Sequence, residues 1–306
     1  MTQHAPFDIF LVTAPGLEAM LCAELVEKGF AGPVAESGGV TIKGGWPDVW
    51  RANLDIRGAS RVLARIGSFH AVHLSQLDKL ARRFPWGEVL RPDVPVRVDA
   101  SSKRSKIYHA GAAAQRIETA IREELGATIS ADAAVQVRAR LEDNLCTLSI
   151  DTSGELLHKR GYKQAVAKAP IRETLAALFL RQCGYEGTEP VLDPMCGSGT
   201  FVIEAAEIAA GLAPGRAREF AFEQLVGFDR AVWDKMRIPR EPRETDLRFY
   251  GSDRDAGAIR VARDNAERAG VSHLTQFQQC PVSELEAPDC KPGLVMINPP
   301  YGTRIG

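Results

Sequence analysis

The sequence contains no apolar run that approaches the ~18–20 residues a membrane-spanning helix needs. Its first residues, Met1 to Asp8, carry no basic segment followed by a long hydrophobic one, so no secretory signal is predicted. These absences favour a cytoplasmic protein without a membrane partner. The six cysteines form no Cys-x-x-Cys pair, and no Cys/His cluster has zinc-finger spacing. We therefore predict reduced thiols and no metal site.

The sequence also lacks an excess of positive or negative charge. The 38 basic and 39 acidic residues leave a net charge of −1, which argues against a protein that coats nucleic acid through overall positive charge. A local basic face stays compatible with RNA binding. An apolar content of 45% with 25% charged residues is ordinary for a globular protein and excludes disorder as the main state.

Periodicity divides the 306 residues into three regions. Residues 1–66 read as a small ferredoxin-like α+β unit, and residues 67–155 as a second α+β region that ends in a hairpin. Residues 156–306 alternate strands with helices, which predicts an α/β fold with a parallel sheet. The charged, proline-containing stretch 214–248 is predicted to be an insertion between the repeating units.

The sharpest motif is a glycine-containing loop, Asp193 to Thr200, between a buried strand and a helix. Its glycines allow a tight turn and a close approach to a ligand, and the following helix offers free N–H groups. It is neither a dinucleotide fingerprint, because Val202 stands where the third glycine is needed, nor a P-loop. Asp193 at the strand end suits a ligand with a cationic ammonium group.

Two further motifs follow later strands. Asp253 ends the strand after the glycine loop's helix, where a carboxylate can accept both hydroxyls of a ribose. Asn298-Pro299-Pro300-Tyr301 follows the apolar strand 294–297. Its prolines stiffen a loop whose amide and carbonyl oxygens can hold the hydrogens of an exocyclic base amine, and Tyr301 can stack on the base.

Together these motifs resemble class I S-adenosylmethionine-dependent methyltransferases that act on nucleic-acid amino groups. Within that class the chain is similar to the THUMP-domain RNA methyltransferases, above all the bacterial enzymes that methylate guanine N2 in 23S ribosomal RNA. Residues 157–162 and 169–176 resemble the linker and leading helix of that family, and residues 102–113 its THUMP segment. The resemblance covers nearly the whole chain. It implies a Rossmann-like methyltransferase domain over 156–306, preceded by a ferredoxin-like unit (1–66) and a THUMP RNA-binding domain (67–155).

The resemblance also implies roles for particular residues. The catalytic loop that holds the target amine and base would be Asn298, Pro299, Pro300 and Tyr301. The residues expected to bind S-adenosylmethionine are Asp193, Pro194, Met195, Cys196, Gly197, Ser198, Gly199, Thr200 and Asp253, with Pro170 and Arg172 near the cofactor. No metal is needed, because the sulfonium group supplies the activation.

Basic residues before the catalytic motifs are candidates for phosphate contacts with structured RNA. They lie in a polar loop, on one strand and in the linker: Lys103, Arg104, Lys106, Arg138, Arg140, Lys159, Arg160 and Lys163. The target base would have to leave its stack to reach the methyl group.

The sequence ends five residues after Tyr301, whereas the sheet of this class has three more strands after the amine-binding loop. An open edge of this kind suggests a truncated methyltransferase domain. Three other functions stay open: a transfer-RNA guanine-N2 methyltransferase, a catalytically inactive RNA-binding protein and a DNA adenine-N6 methyltransferase. The target nucleotide and the oligomeric state are not predicted.

Overall fold

The computed structural model describes residues 6–163, 171–239 and 241–299. Its N-terminal half is built on one seven-stranded sheet. The strands are β1 (Phe7–Val12), β2 (Val34–Glu36), β3 (Gly39–Gly44), β4 (Arg61–His70), β5 (Val96–Lys103), β6 (Val135–Glu142) and β7 (Leu145–Asp151). They lie in the order β2-β3-β1-β4-β7-β6-β5, and all neighbours are antiparallel except β5 and β6.

Alternation along the strands gives the sheet one buried and one open face. Ile9 and Leu11 of β1 are fully buried in the core, whereas Asp8 and Phe10 line an open groove of about 1080 Å³ on the other face. Four helices complete this half: α1 (Glu18–Glu27), α2 (Trp46–Asp55), α3 (Leu74–Arg83) and α4 (Ala110–Leu125).

The two predicted α+β regions share this single sheet. Strand β4 continues past residue 66, with a register shift between Arg65 and Gly67, and it pairs with β7 from Leu63↔Asp151 to His70↔Leu145. Lys103, predicted to lie in the polar loop, is the last residue of β5, because β5 stays paired with β6 as far as Lys103. Strand β2 was not predicted: it has only three residues, all exposed, and therefore carries no alternation.

The C-terminal half has a four-stranded parallel sheet, as the sequence predicted. Its strands β8 (Val191–Asp193), β9 (Phe249–Asp253), β10 (Thr275–Gln279) and β11 (Leu294–Val295) lie in the order β10-β9-β8-β11. The helices of this half are α5 (Glu173–Gln182), α6 (Thr200–Ala209), α7 (Arg230–Met236) and α8 (Ala256–Ala269). Within the described ranges, no helix has the length and hydropathy needed to span a membrane.

Aromatic residues of the stretch 214–248, predicted to be an insertion, pack against the other half of the molecule. Phe222 stacks with Phe220 at a ring-centroid distance of 5.2 Å and meets Trp233 edge-on at 5.0 Å. Trp50 of α2 lies 6.1 Å from Phe222. All four rings belong to the core of the N-terminal half. The segment therefore joins the two halves.

A buried ion network makes a second connection. Arg57, just after α2, donates through Nη1 to Glu204 at 2.7 Å and to Glu207 at 3.3 Å. Arg160 of the linker reaches Glu204 at 3.2 Å, and Arg216 pairs with Glu207. Both carboxylates lie on α6 and are fully buried. The helix that follows the glycine loop is thus bound to the N-terminal half through charge.

We predict that Arg57→Met destabilises the fold by about 3–5 kcal/mol, because it leaves two buried carboxylates short of a cation. Urea denaturation measures the loss. Arg122→Met is the matched control, since Arg122 is exposed on α4. Similar midpoints for the two variants would contradict the structural role assigned to the network.

Candidate functional site

Asp193, Asp253 and Asn298, one residue from each motif singled out in the sequence, lie at the same edge of the parallel sheet. Asp193 ends β8 and Asp253 ends β9, its neighbour, with Asp193 paired to Gly251. On the other side of β8, the Met296 N–H donates to the Leu192 carbonyl at 2.9 Å, which sets Asn298 two residues beyond the end of the pairing. Ligands of open α/β sheets bind at this carboxyl edge.

The glycine loop requires its glycines. Gly197 and Gly199 have φ values of +52° and +83°, in the left-handed region. A Cβ at Gly199 would also lie 3.1 Å from the Phe277 ring and 3.2 Å from the Ala262 methyl. Both the backbone conformation and the space favour a residue without a side chain at that position.

The two aspartates hold the loop in shape. Asp193 accepts the Met195 N–H at 3.0 Å, and Asp253 accepts the Gly197 N–H through Oδ2 at 3.0 Å. The other oxygen of Asp253 accepts the Asp255 N–H at 2.9 Å. The carboxylate predicted to bind a ribose is therefore fixed directly against the glycine loop.

Two more polar residues support this loop, and sequence reasoning missed them. Asn265 of α8, fully buried, donates to the Ser198 carbonyl at 3.1 Å. Ser252 of β9, also fully buried, donates to the Pro194 carbonyl at 3.2 Å. The only signal in the sequence was a polar residue on a helix or strand face that is otherwise apolar. Their partners are distant in sequence, so the role emerges only from the fold.

The electrostatics of the loop suit a cationic ligand. Asp193 is only 2% exposed. Burial raises the pKa of Asp193 to about 7. The hydrogen bond from the Met195 N–H lowers this pKa, and the nearby charge of Asp253 raises it. Within the described residues, neither carboxylate has an ion-pair partner, and the buried hydroxyl of Ser198 has no hydrogen-bond partner. A ligand that brings positive charge and hydrogen-bonding groups would satisfy all three side chains.

One basic residue of the linker lies beside the loop as well. Lys163, predicted to contact RNA, donates to the Thr200 hydroxyl at 3.0 Å and pairs with Glu173 at 2.9 Å. Its side chain is 10% exposed, so it supports the start of α6.

Burial, helped by the charges of Arg172 and Arg160 among others, lowers the pKa of His158 to about 4, so His158 is neutral at pH 7.

Arg160, also predicted to contact RNA, lies inside the protein and not on its surface. Arg160 is 2% exposed. Its guanidinium donates to the backbone carbonyls of Leu157 at 2.9 Å and Arg57 at 2.8 Å, in addition to Glu204. Burial and these internal partners keep it from any phosphate.

The other basic residues predicted to contact RNA lie nearer the surface, and several have local carboxylate partners. Arg104 pairs with Asp143 at 3.0 Å and with Glu142 at 2.8 Å. Arg140 also pairs with Glu142. The remaining pairs are Lys103 with Glu142 at 3.9 Å, Arg138 with Asp151 at 3.6 Å and Lys159 with Glu155 at 2.6 Å.

The catalytic motif is described only in part. Asn298 is half-buried and Pro299 is exposed, while Pro300, Tyr301 and Pro170 lie outside the described residues. In the described ranges no group of His, Cys, Asp and Glu side chains is arranged to hold a metal ion.

Comparison with known proteins places this site in a family. A family profile described as "RMKL-like, methyltransferase domain" matches residues 160–306, and one described as "RlmL ferredoxin-like domain" matches residues 8–63. A putative RNA methyltransferase of Synechocystis sp. is 32% identical, over 97% of this chain and 80% of its own length. The chain belongs to the RMKL-like methyltransferases. The resemblance found in the sequence is thus confirmed.

The chain is also similar to other curated proteins and to solved structures. The ribosomal RNA large subunit methyltransferase K/L of Psychromonas ingrahamii is 35% identical over 97% of this chain, which spans 42% of that protein. A structure from Listeria monocytogenes described as a predicted N6-adenine-specific DNA methylase has a TM-score of 0.88 at 33% identity, covering 98% of this chain and 81% of its own. A putative methyltransferase complexed with SAH has a TM-score of 0.87 at 28% identity, covering 99% and 82%.

We predict that Asp193→Asn stabilises the ligand-free protein above pH 7. The folded-state pKa of Asp193, about 7, lies above the ordinary value of 3.8, so its favourable contribution to folding is complete below pH 3.8 and is lost as the pH rises to about 7. An uncharged isostere avoids that loss, which amounts to at most about 4 kcal/mol.

Urea denaturation at acid and alkaline pH measures the difference. The gain should be small near pH 4 and largest at pH 8. Asp234→Asn, at a side chain 63% exposed, is the control and should change little at either pH. A gain for Asp193→Asn that does not depend on pH would contradict a buried, proton-linked carboxylate.

Proposed function

We propose that this chain transfers a methyl group from S-adenosylmethionine to the exocyclic amine of an RNA base, with guanine N2 in 23S ribosomal RNA as the target. The observation that carries the proposal is the hydrogen bond between Gly197 and Asp253. This bond joins the glycine loop to a carboxylate at the carboxyl edge of the sheet. Asn298 follows strand β11 at the same edge. The names of the K/L relatives support the RNA class.

The glycine loop is suited to the methionine part of the cofactor. The Asp193 carboxylate and the unpartnered Ser198 hydroxyl offer oxygen acceptors to an ammonium group. Asp253 already accepts two backbone N–H groups, and the remaining lone pairs of its oxygens would accept ribose hydroxyls. Arg172 and Pro170 are proposed to flank the cofactor. When bound, the sulfonium group supplies an electrophilic methyl.

Asn298 is proposed to hold the target amine. Its side-chain oxygen and the carbonyls of the prolines that follow would accept the two amine hydrogens, which frees the nitrogen lone pair for attack. A nitrogen–carbon bond then forms while the carbon–sulfur bond breaks, and the amine releases one proton. Tyr301 would stack on the extruded base.

The surface of the N-terminal half is proposed to hold the RNA. We propose residues 1–66 and 67–155 as the ferredoxin-like and THUMP units, followed by the methyltransferase domain from residue 156. The basic residues proposed to contact phosphates are Lys103, Arg104, Lys106, Arg138, Arg140 and Lys159. Transfer RNA and duplex DNA are the competing substrates, the latter because a solved relative is described as a DNA methylase.

We predict that labelled methyl from S-adenosylmethionine enters ribosomal RNA and appears as N2-methylguanosine after nucleoside digestion. Transfer RNA and duplex DNA are assayed in parallel. Asn298→Ala should reduce the rate by the order of 10²–10³-fold, because it removes an acceptor from the reacting amine, and should leave RNA affinity unchanged. Gln278→Ala, at an exposed position of β10, is the control. Full turnover by Asn298→Ala would refute the proposed amine contact.

Cofactor affinity should depend on pH through Asp193. A cationic ligand requires the ionised carboxylate, whose pKa in the free protein is about 7. Calorimetry should therefore show affinity that rises with pH up to about 7 and then levels off, with roughly a tenfold loss per pH unit below that value. In Asp193→Asn, binding should be weak and independent of pH over this range. An unchanged pH profile in the variant would exclude Asp193 as the linked group.

A further inference from the structure

The most exposed large hydrophobic side chain in the described part of the chain is Tyr108, 76% of which is accessible to solvent. Its ring contacts that of the next residue, His109, which is also exposed; the two rings are tilted, with a centroid distance of 4.5 Å and an interplanar angle of 39°. One exposed aromatic ring needs no explanation, but two adjacent exposed rings in contact offer a larger aromatic surface, which we call the platform.

The backbone under this platform is fixed by hydrogen bonds. The Ser102 hydroxyl donates to the Ile107 carbonyl at 2.6 Å, and the Lys106 N–H donates to the Asn144 side chain at 2.9 Å. The Asn144 N–H in turn donates to the Ser105 hydroxyl at 3.0 Å. Ile107, next to Tyr108, is buried with 4% exposure. The platform is therefore held in place before any partner arrives, which lowers the entropy cost of binding.

Positive charge lies next to the platform. The Lys103 side chain is 67% exposed with its nearest carboxylate, Glu142, 3.9 Å away, and Lys106 is exposed. His109 precedes helix α4, whose first turn carries no capping side chain, and the space beside Gly111 is open. Exposed rings beside lysine side chains and free backbone N–H groups are the combination that binds a base together with its phosphate.

We propose that Tyr108 and His109 stack an unpaired base of the RNA substrate, while Lys103 and Lys106 hold the adjoining phosphates. This inference rests on the proposed RNA function and adds to it a requirement for a single-stranded nucleotide away from the methylation site. It also separates the roles of these residues: the rings recognise the base, and the lysines recognise the backbone.

The test compares three RNA probes with the full chain: a blunt duplex, the same duplex with a short single-stranded extension, and the same extension built from abasic nucleotides. The wild-type protein should bind the extended duplex most tightly. Tyr108→Ala should weaken that binding about tenfold or more and leave the other two probes unaffected. Tyr108→Trp should restore it. Ile238→Ala, at a side chain 62% exposed, is the control.

Salt dependence distinguishes the lysines from the rings. Lys106→Gln should lower the slope of log affinity against log salt by about 0.7–0.9 for both extended probes, because it removes one phosphate contact. Tyr108→Ala should leave the slope unchanged. Circular dichroism of each variant confirms that the fold is retained.

Either of two results would overturn the platform: equal binding of the extended duplex by wild type and Tyr108→Ala, or an equal loss on the natural and abasic extensions. A wild-type chain that binds none of the probes would contradict RNA recognition as a whole. That outcome is distinct from failure of the platform, in which RNA binds but Tyr108 does not matter.

Discussion

The buried ion pairs of Arg57 with Glu204 and Glu207 bind the two halves of the molecule to each other. Both carboxylates lie on the helix that begins directly after the glycine loop, and Arg57 belongs to the N-terminal half. Burying charges in this way is costly, and a well-packed apolar contact would stabilise as much. The ion pairs add a fixed relative orientation, because a guanidinium pairs with a carboxylate in only a few geometries. The glycine loop is thus positioned relative to the proposed RNA surface.

The carboxylates of the candidate site, unlike Glu204 and Glu207, are not paired with arginines in the described residues. Burial raises the pKa of Asp193, the charge of Asp253 adds to the rise, and in the described residues no cation is paired with either carboxylate. This arrangement destabilises the protein without a ligand, and a cationic ligand would relieve it. Stability is given up at the position where binding is needed, as expected for a functional site.

Local features could be predicted from the sequence, and long-range ones could not. The apolar spacing of helices α4 and α8, and the glycine that follows each of them, indicate the bounds that the structure shows. The strand–loop–helix context predicted for Asp193 to Thr200 is also confirmed. The packing of residues 214–248 against Trp50, the burial of Arg160 and the bond from Asn265 to Ser198 depend on residues far apart in the chain. Basic character alone did not distinguish an RNA contact from a structural ion pair.

The linker shows how the halves are joined. Leu157 packs in the core of the N-terminal half, Tyr162 packs in the core of the other, and Arg160 between them is bound to both Arg57 and Glu204. A segment anchored at both ends and in its middle cannot act as a hinge without breaking buried charge contacts. Under the proposed function, extrusion of the target base from its stack is the way of reaching Asn298 that leaves these buried contacts intact.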